Sequence, residues 1–121
     1  MARHASAAAA TRAGAVALGG GLEPYVHEAA DAAPVATTLR TPAGIDASEL
    51  VAKALASDPV LPLVAGGGAL AREMVRVNHY GPGATRGVVQ SCLGALGAAL
   101  AEFGVPVDLE GARRAVAEAW A

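Results

Sequence analysis

The chain has 121 residues, a formal net charge of −2, and a composition that is 54% hydrophobic but only 3% aromatic. This length predicts a single domain, residues 1–121, with room for one core. Much of the apolar content is alanine, which gains little free energy on burial, so we expect a thin core that needs a covering surface. The basic residues are scattered, and no apolar run approaches the roughly 20 residues of a membrane span. These features argue against a nucleic-acid-binding protein and against a membrane protein.

The cysteine and histidine content excludes several kinds of site. Cys92 is the only cysteine, so an internal disulfide and a multi-cysteine metal site are both excluded. A single thiol fits a reducing compartment, and we expect a cytoplasmic protein. The three histidines, His4, His27 and His79, lie in separate segments with no ligand spacing, so a metal site is unsupported.

The first half of the chain predicts two helices with a strand between them. Alanine and arginine favour a helix from Ala2 to about Leu18, which ends at the glycines 19–21. This helix has few large apolar side chains, so it must pack against another element to be stable. The β-branched run Val35–Leu39 predicts a strand. Asp46 is the predicted N-cap of a second helix that ends near Ser57.

The centre of the chain predicts two strands joined by a tight, glycine-rich turn. The strands are Val60–Val64 and Glu73–Val77, and the short connection between them favours an antiparallel pair. Because side chains alternate along a strand, three of them share one face of the second strand. They are Met74, Arg76 and Asn78.

Two helices complete the chain and define the fold class. Thr85 is the predicted N-cap of a long helix to about Phe103, and Asp108 that of a last helix, Leu109–Trp120. The apolar side chains of the long helix recur at helical spacing. They are Val89, Cys92, Leu93, Leu96, Leu100 and Phe103. We predict an α+β fold: a small antiparallel sheet of about three strands, helices packed on one face, and a long N-terminal helix before it.

The segment from Arg76 to Gly81 carries a resemblance to a known family. It reads Arg-Val-Asn-His-Tyr-Gly, follows a glycine-rich turn and a strand, and precedes a long amphipathic helix. It resembles the Arg-Ile-Gly-(His or Leu)-Met-Gly segment in the C-terminal small domain of class V, fold type I aminotransferases that depend on pyridoxal phosphate (PLP). Alanine–glyoxylate, serine–glyoxylate and pyridoxamine–pyruvate aminotransferases are members of this family that it resembles. The resemblance assigns residues 2–20 to the helix that joins the two domains and residues 34–121 to the small domain.

The resemblance also implies a substrate-binding site. The family arginine that matches Arg76 binds the α-carboxylate of the amino or keto acid, and Asn78 and His79 follow it in the same segment. A guanidinium presents a planar fork of donors that can read a carboxylate with two hydrogen bonds. The alternatives are that Arg76 is an ordinary surface residue and that His79 satisfies a backbone carbonyl. Asn78 stands where the family has glycine, and Tyr80 where it often has methionine.

The family's cofactor-binding parts have no counterpart in this sequence. In those enzymes the lysine that binds PLP covalently, the aspartate on its ring nitrogen and the phosphate-binding turn all belong to the large domain. The only lysine here is Lys53, in the middle of a predicted helix. The resemblance therefore implies the small-domain subunit of a split aminotransferase that is inactive alone. A large-domain chain would bind PLP, and the substrate would be an amino acid or 2-keto acid.

A second hypothesis is that the protein has the same fold but no catalytic activity. The chain would then be a non-catalytic binding or regulatory module derived from such a domain, for example one that forms homo-oligomers, because a fold alone does not decide function. Stable dimers without a second gene product would favour this interpretation over the first. A third alternative is that the chain is an excised or truncated fragment whose function belongs to a longer protein.

Overall fold

Helices and strands follow one another in the predicted α+β order. A computed structural model describes residues 2–24, 36–66, 72–79 and 85–120, except for the side chains of residues 2–5. The helices are α1 (Ala2–Leu18), α2 (Ala47–Ser57), α3 (Arg86–Glu102) and α4 (Leu109–Ala119). The strands are β1 (Glu23–Pro24), β2 (Ala36–Arg40), β3 (Leu63–Ala65) and β4 (Met74–Asn78).

The strands form an antiparallel sheet in the order β1-β2-β4-β3. The predicted antiparallel pairing of the two central strands is confirmed as the β3–β4 pair. The sheet has four strands where we predicted about three, because β1 is an additional short edge strand. β4 lies between β2 and β3, so its middle residue, Arg76, has Thr38 on one side and Val64 on the other.

All four helices lie on one side of this sheet, as predicted. The side chains of Val75 and Val77 on β4 are buried in the same cluster as Leu39 of β2 and Leu63 of β3. Helix α2 contacts β3 and β4, and α1 contacts β1 and β2. The core is therefore a single layer between the helices and one face of the sheet.

The three predicted helix caps are confirmed. The carboxylate of Asp46 accepts a hydrogen bond from the Ser48 backbone N–H at 2.8 Å, at the start of α2. The hydroxyl of Thr85 accepts one from Val88 N at 3.2 Å, at the start of α3. Asp108 begins α4 in the same way. Each cap satisfies a backbone donor that has no partner inside its helix.

Helix α1 packs against other helices, as its small side chains predicted. Its small side chains Ala7, Ala10 and Ala15 are buried, and the helix lies against α3 and α4. A Cβ atom on Gly14 would overlap Leu93 Cδ1 and lie 2.7 Å from Val116 Cγ2. The backbones approach so closely here because alanine and glycine leave no side chain between them.

The structure corrects one predicted boundary and leaves another untested. The strand predicted at Val60–Val64 begins only at Leu63, because Asp58 and the following proline start a turn in which Leu61 N donates to Asp58 O at 3.4 Å. Val60 is consequently 86% exposed. The predicted start of β2 at Val35 lies outside the described residues.

Two residues predicted on apolar helix faces are also more exposed than expected. Phe103 is the C-cap of α3, beyond its last turn, and is 38% exposed. Its ring centroid lies 5.7 Å from Lys53 Nζ, an arrangement of cation over ring. Leu109, at the first position of α4, is 45% exposed.

Within the described part of the chain, no helix combines the length and the hydropathy needed to cross a membrane.

Candidate functional site

None of the described helices packs on the other face of the sheet, opposite the core. Because side chains alternate along each strand, the residues that flank the buried ones in sequence point to this opposite side. We call it the open face. Its members on β2, β3 and β4 are Ala36, Thr38, Arg40, Val64, Met74, Arg76 and Asn78.

Arg76 lies at the centre of the open face. It is exposed, and its cross-strand neighbours Thr38 and Val64 are short and uncharged. The ion pairs between described residues join Lys53 to Glu102 and Arg72 to Asp46, and Arg76 takes part in neither. Within residues 2–24, 36–66, 72–79 and 85–120, its guanidinium is thus available to an external anion.

A second arginine on the open face has a different electrostatic environment. Arg40 is exposed at the end of β2, and its cross-strand partner on the edge strand β1 is Glu23. Directly opposed residues of an antiparallel pair have neighbouring side chains on one face, so opposite charges there attract. Glu23 thus stands opposite Arg40 in the pairing register, whereas no described acid stands opposite Arg76. On this contrast we take Arg76, and not Arg40, as the candidate carboxylate site.

Asn78 lies two residues from Arg76 on the same face. It is half-buried, and its carboxamide Oδ1 is buried without a hydrogen-bond partner among the described residues. Its backbone N–H donates to Pro62 O at 3.0 Å. This oxygen is an acceptor beside Arg76 that the described residues leave unpaired.

His79 lies on the other side of the sheet. Its side chain is fully buried, and its Nε2 is 2.7 Å from the hydroxyl oxygen of Thr37, which is 3% exposed. Thr37 alternates with Thr38 of the open face and so lies on the helix-covered side. The structure therefore brings Arg76 and Asn78 to one face and places His79 behind them.

Two neighbours of Arg76 could not be identified from the sequence. Thr38 and Val64 flank it only because β4 lies between β2 and β3. Alternation along β2 could have placed Thr38 and Arg40 on one face, but the order of the strands depends on contacts between distant segments. The register of a sheet is decided by which face must be buried, and a local pattern cannot supply that.

The residues of this chain do not fit a PLP-binding site by themselves. Lys53 lies on α2, on the helix-covered side of the sheet, and its Nζ is 3.3 Å from Glu102 Oε1. Lys53 is thus paired with a carboxylate on the side of the sheet away from the open face. If PLP takes part, another polypeptide segment must supply its lysine.

Cys92 is a core residue and an unsuitable nucleophile. Its side chain is fully buried in α3. Burial, together with the negative charge of Asp58, raises the pKa of the Cys92 thiol from 9.0 to about 12. Since the thiolate is the reactive form, the thiol is inert at neutral pH. No three histidine, cysteine or acidic side chains in the described ranges are grouped to hold a metal ion.

A groove of about 830 Å³ lies between α3 and α4, and its rim includes Arg86, Arg113 and Arg114. It contains none of the predicted site residues. We therefore place the candidate site on the open face, where Arg76 forms no ion pair with a described acid.

Comparison with known proteins finds similar proteins among the solved structures. No family model and no curated protein matches the chain. Among solved structures, it is similar to pyridoxamine–pyruvate aminotransferase from Mesorhizobium loti, with 32% identity and a TM-score of 0.88. It is also similar to ureidoglycine–glyoxylate aminotransferase from Bacillus subtilis, with 25% identity and a TM-score of 0.84.

These matches cover 98% of this chain but only 29% and 30% of the two aminotransferases. The chain thus spans about three-tenths of the length of either enzyme. The resemblance predicted from the Arg76–Gly81 segment is confirmed: in fold and in sequence, the chain is similar to the C-terminal portion of class V aminotransferases.

Proposed function

We propose that this chain is the small-domain subunit of a split PLP-dependent aminotransferase. It binds the carboxylate of an amino acid or 2-keto acid through Arg76, next to PLP held by a separate large-domain chain. The observation that carries the proposal is an exposed arginine without a described acid partner, at the centre of an uncovered sheet face. The match to three-tenths of two aminotransferases supports it.

The open face explains why a partner is needed. An arginine in contact with water binds a carboxylate weakly, because the Coulomb energy of two unit charges at 4 Å is only about 1 kcal/mol in bulk water. The same pair gains several-fold when a protein surface excludes the solvent. A large domain that covers the open face would supply this exclusion and leave Arg76 facing the reaction site.

The role of Arg76 would be binding and orientation. Its fork of donors would hold the substrate carboxylate in one orientation, so that the substrate's Cα–H bond faces the cofactor. PLP, when bound by the partner, supplies the electron sink for the reaction. The neutral neighbours Thr38 and Val64 do not compete for the guanidinium.

Co-purification tests the partnership. The chain is tagged in its native host, and the protein retained with it is identified and examined for bound PLP and for transamination. We expect a second chain of large-domain length, visible absorption from PLP, and activity in the complex only. The chain purified alone should be colourless and inactive.

Two results would contradict the split enzyme. One is recovery of the chain without a second gene product, as a stable homo-oligomer. The other is a complex that contains PLP but keeps full activity after this chain is removed. Either would favour the non-catalytic binding or regulatory module. We infer a cytoplasmic location for the complex, since the single thiol fits a reducing compartment.

A further inference from the structure

We propose that His79 is a positioning residue. Through its hydrogen bond to Thr37 it holds the end of β4 against β2 and so places Asn78 on the open face. The expected effect on ligand binding rests on the function proposed above, whereas the expected effect on the end of β4 does not.

The polar side chains of Thr37 and His79 are buried beside apolar residues. Thr37 Oγ1 and His79 Nε2 are 2.7 Å apart, and both side chains are buried. Their neighbours along the strands on the same side are the apolar Leu39 and Val77. A buried polar pair adds little net stability compared with apolar residues of the same shape, because both groups lose their hydration. The pair instead fixes the relative orientation of the two strands, because a hydrogen bond has a preferred geometry.

The Thr37–His79 bond lies at the end of the described pairing between β2 and β4. The last described pair is Ala36 and Asn78, and His79 is the next residue. Thr37 pairs with Val77, so the Thr37–His79 bond runs diagonally past the last described backbone pair. It ties His79 to β2 immediately beyond that pair.

The position of Asn78 depends on the strand that carries it. Its buried Oδ1 has no hydrogen-bond partner within the described ranges, so no such bond fixes the carboxamide. Its location depends on the backbone, which is held on one side by Pro62 O and on the other by β2. Arg76 is different, because it lies within the ladder on both sides. Loss of the Thr37–His79 bond should therefore displace Asn78 and leave Arg76 in place.

The test compares Thr37→Val, which removes the hydroxyl and keeps the shape, with Thr37→Ser, which keeps the hydroxyl. Amide hydrogen exchange of the full chain is followed by NMR without any ligand. Thr37→Val should accelerate exchange at the Asn78 amide by about fivefold, the equivalent of one ordinary hydrogen bond, with Arg76 and Val75 unchanged. Thr37→Ser should match the wild type. Equal acceleration at Asn78, Arg76 and Val75, or none at Asn78, would overturn the proposal.

A second arm measures the ligand consequence in the complex, with pyruvate as the probe. Thr37→Val and Asn78→Ala should each weaken pyruvate binding, and the double variant should be no weaker than Asn78→Ala alone. Additive losses, or no loss in Thr37→Val, would overturn the positioning role. Failure of the proposed function is recognised separately, because Arg76→Ala would then leave pyruvate binding unchanged while the exchange result could still stand.

Discussion

Arg76 and Arg40 share a residue type, an exposed position and one face of the sheet, but their surroundings differ. Arg40 is opposite Glu23, whereas Arg76 is flanked by Thr38 and Val64. A charge that an acid already offsets attracts a further carboxylate less strongly. The candidate site is therefore decided by cross-strand neighbours and not by the arginine alone.

This contrast predicts the effect of a conservative substitution. Arg76→Lys keeps the charge but replaces a planar fork by a point charge, so pyruvate binding by the complex should weaken by roughly tenfold. Arg40→Lys is the matched control and should change it little. Both residues are exposed, and the free energy of unfolding should stay within about 0.5 kcal/mol of wild type. Equal effects of the two substitutions on pyruvate binding would show that the sheet position of Arg76 is not special.

Cys92 gives a prediction about pH. Its pKa is about 12 in the folded chain against 9.0 for an ordinary thiol, so the folded state favours the protonated form. The resulting stabilisation is fully present below pH 9 and is lost as the pH rises toward 12. The free energy of unfolding should fall over this range more steeply than in Cys92→Ala, by up to about 1.4 kcal/mol per pH unit. Denaturant titrations of both proteins at several pH values measure this, and parallel curves would contradict the assignment.

The core is thin where helix α1 packs closely against α3 and α4. Gly14 lies where α1 crosses α3 and α4, and a Cβ atom there would overlap Leu93 and crowd Val116. Gly94, within α3, has no atom within 4 Å of such a Cβ. Alanine improves helix propensity equally at both positions, by about 1 kcal/mol. The difference between them therefore isolates packing.

We expect Gly14→Ala to be less stable than Gly94→Ala by about 1–3 kcal/mol, the usual effect of overpacking. Gly94→Ala itself should raise the melting temperature. Thermal unfolding of the two variants and the wild type measures both effects. A Gly14→Ala protein as stable as Gly94→Ala would mean that α1 is not held closely against the other helices.

The sequence predicted the helices well because their signals are local. Asp46, Thr85 and Asp108 begin α2, α3 and α4 as their residue types indicated. The short strands were less predictable. β1 is the two-residue strand Glu23–Pro24, which exists only through its pairing with β2. Val60 has the residue type of a strand but precedes the pairing, so it is exposed.

The candidate site was predictable in its chemistry and not in its surroundings. The Arg76–Gly81 segment indicated a carboxylate-binding arginine, and strand alternation placed Asn78 beside it. The diagonal bond between Thr37 and His79 spans 42 residues of sequence, and no local pattern indicates which strand β4 would join. The prediction grouped His79 with Arg76 and Asn78 because it lies in the same segment, whereas the structure places its ring on the opposite side of the sheet.

At the scale of the whole molecule, the described helices cover one face of the sheet and leave the other open. The helices cover Val75 and Val77, whereas Arg76 between them is exposed on the other side. The chain also spans only about three-tenths of the aminotransferases that it resembles. We interpret the open face as half of a reaction site whose cofactor-binding half lies on another chain.

The affinity of the purified complex for pyruvate, compared between wild type and Arg76→Ala, tests this interpretation most directly. Removal of a charged hydrogen-bonding partner from a covered site costs about 2–3 kcal/mol, so binding should weaken by about 30- to 150-fold. Circular dichroism should show the same fold, and Arg40→Ala should bind pyruvate like the wild type. An Arg76→Ala complex that is intact and binds pyruvate with unchanged affinity would contradict the account.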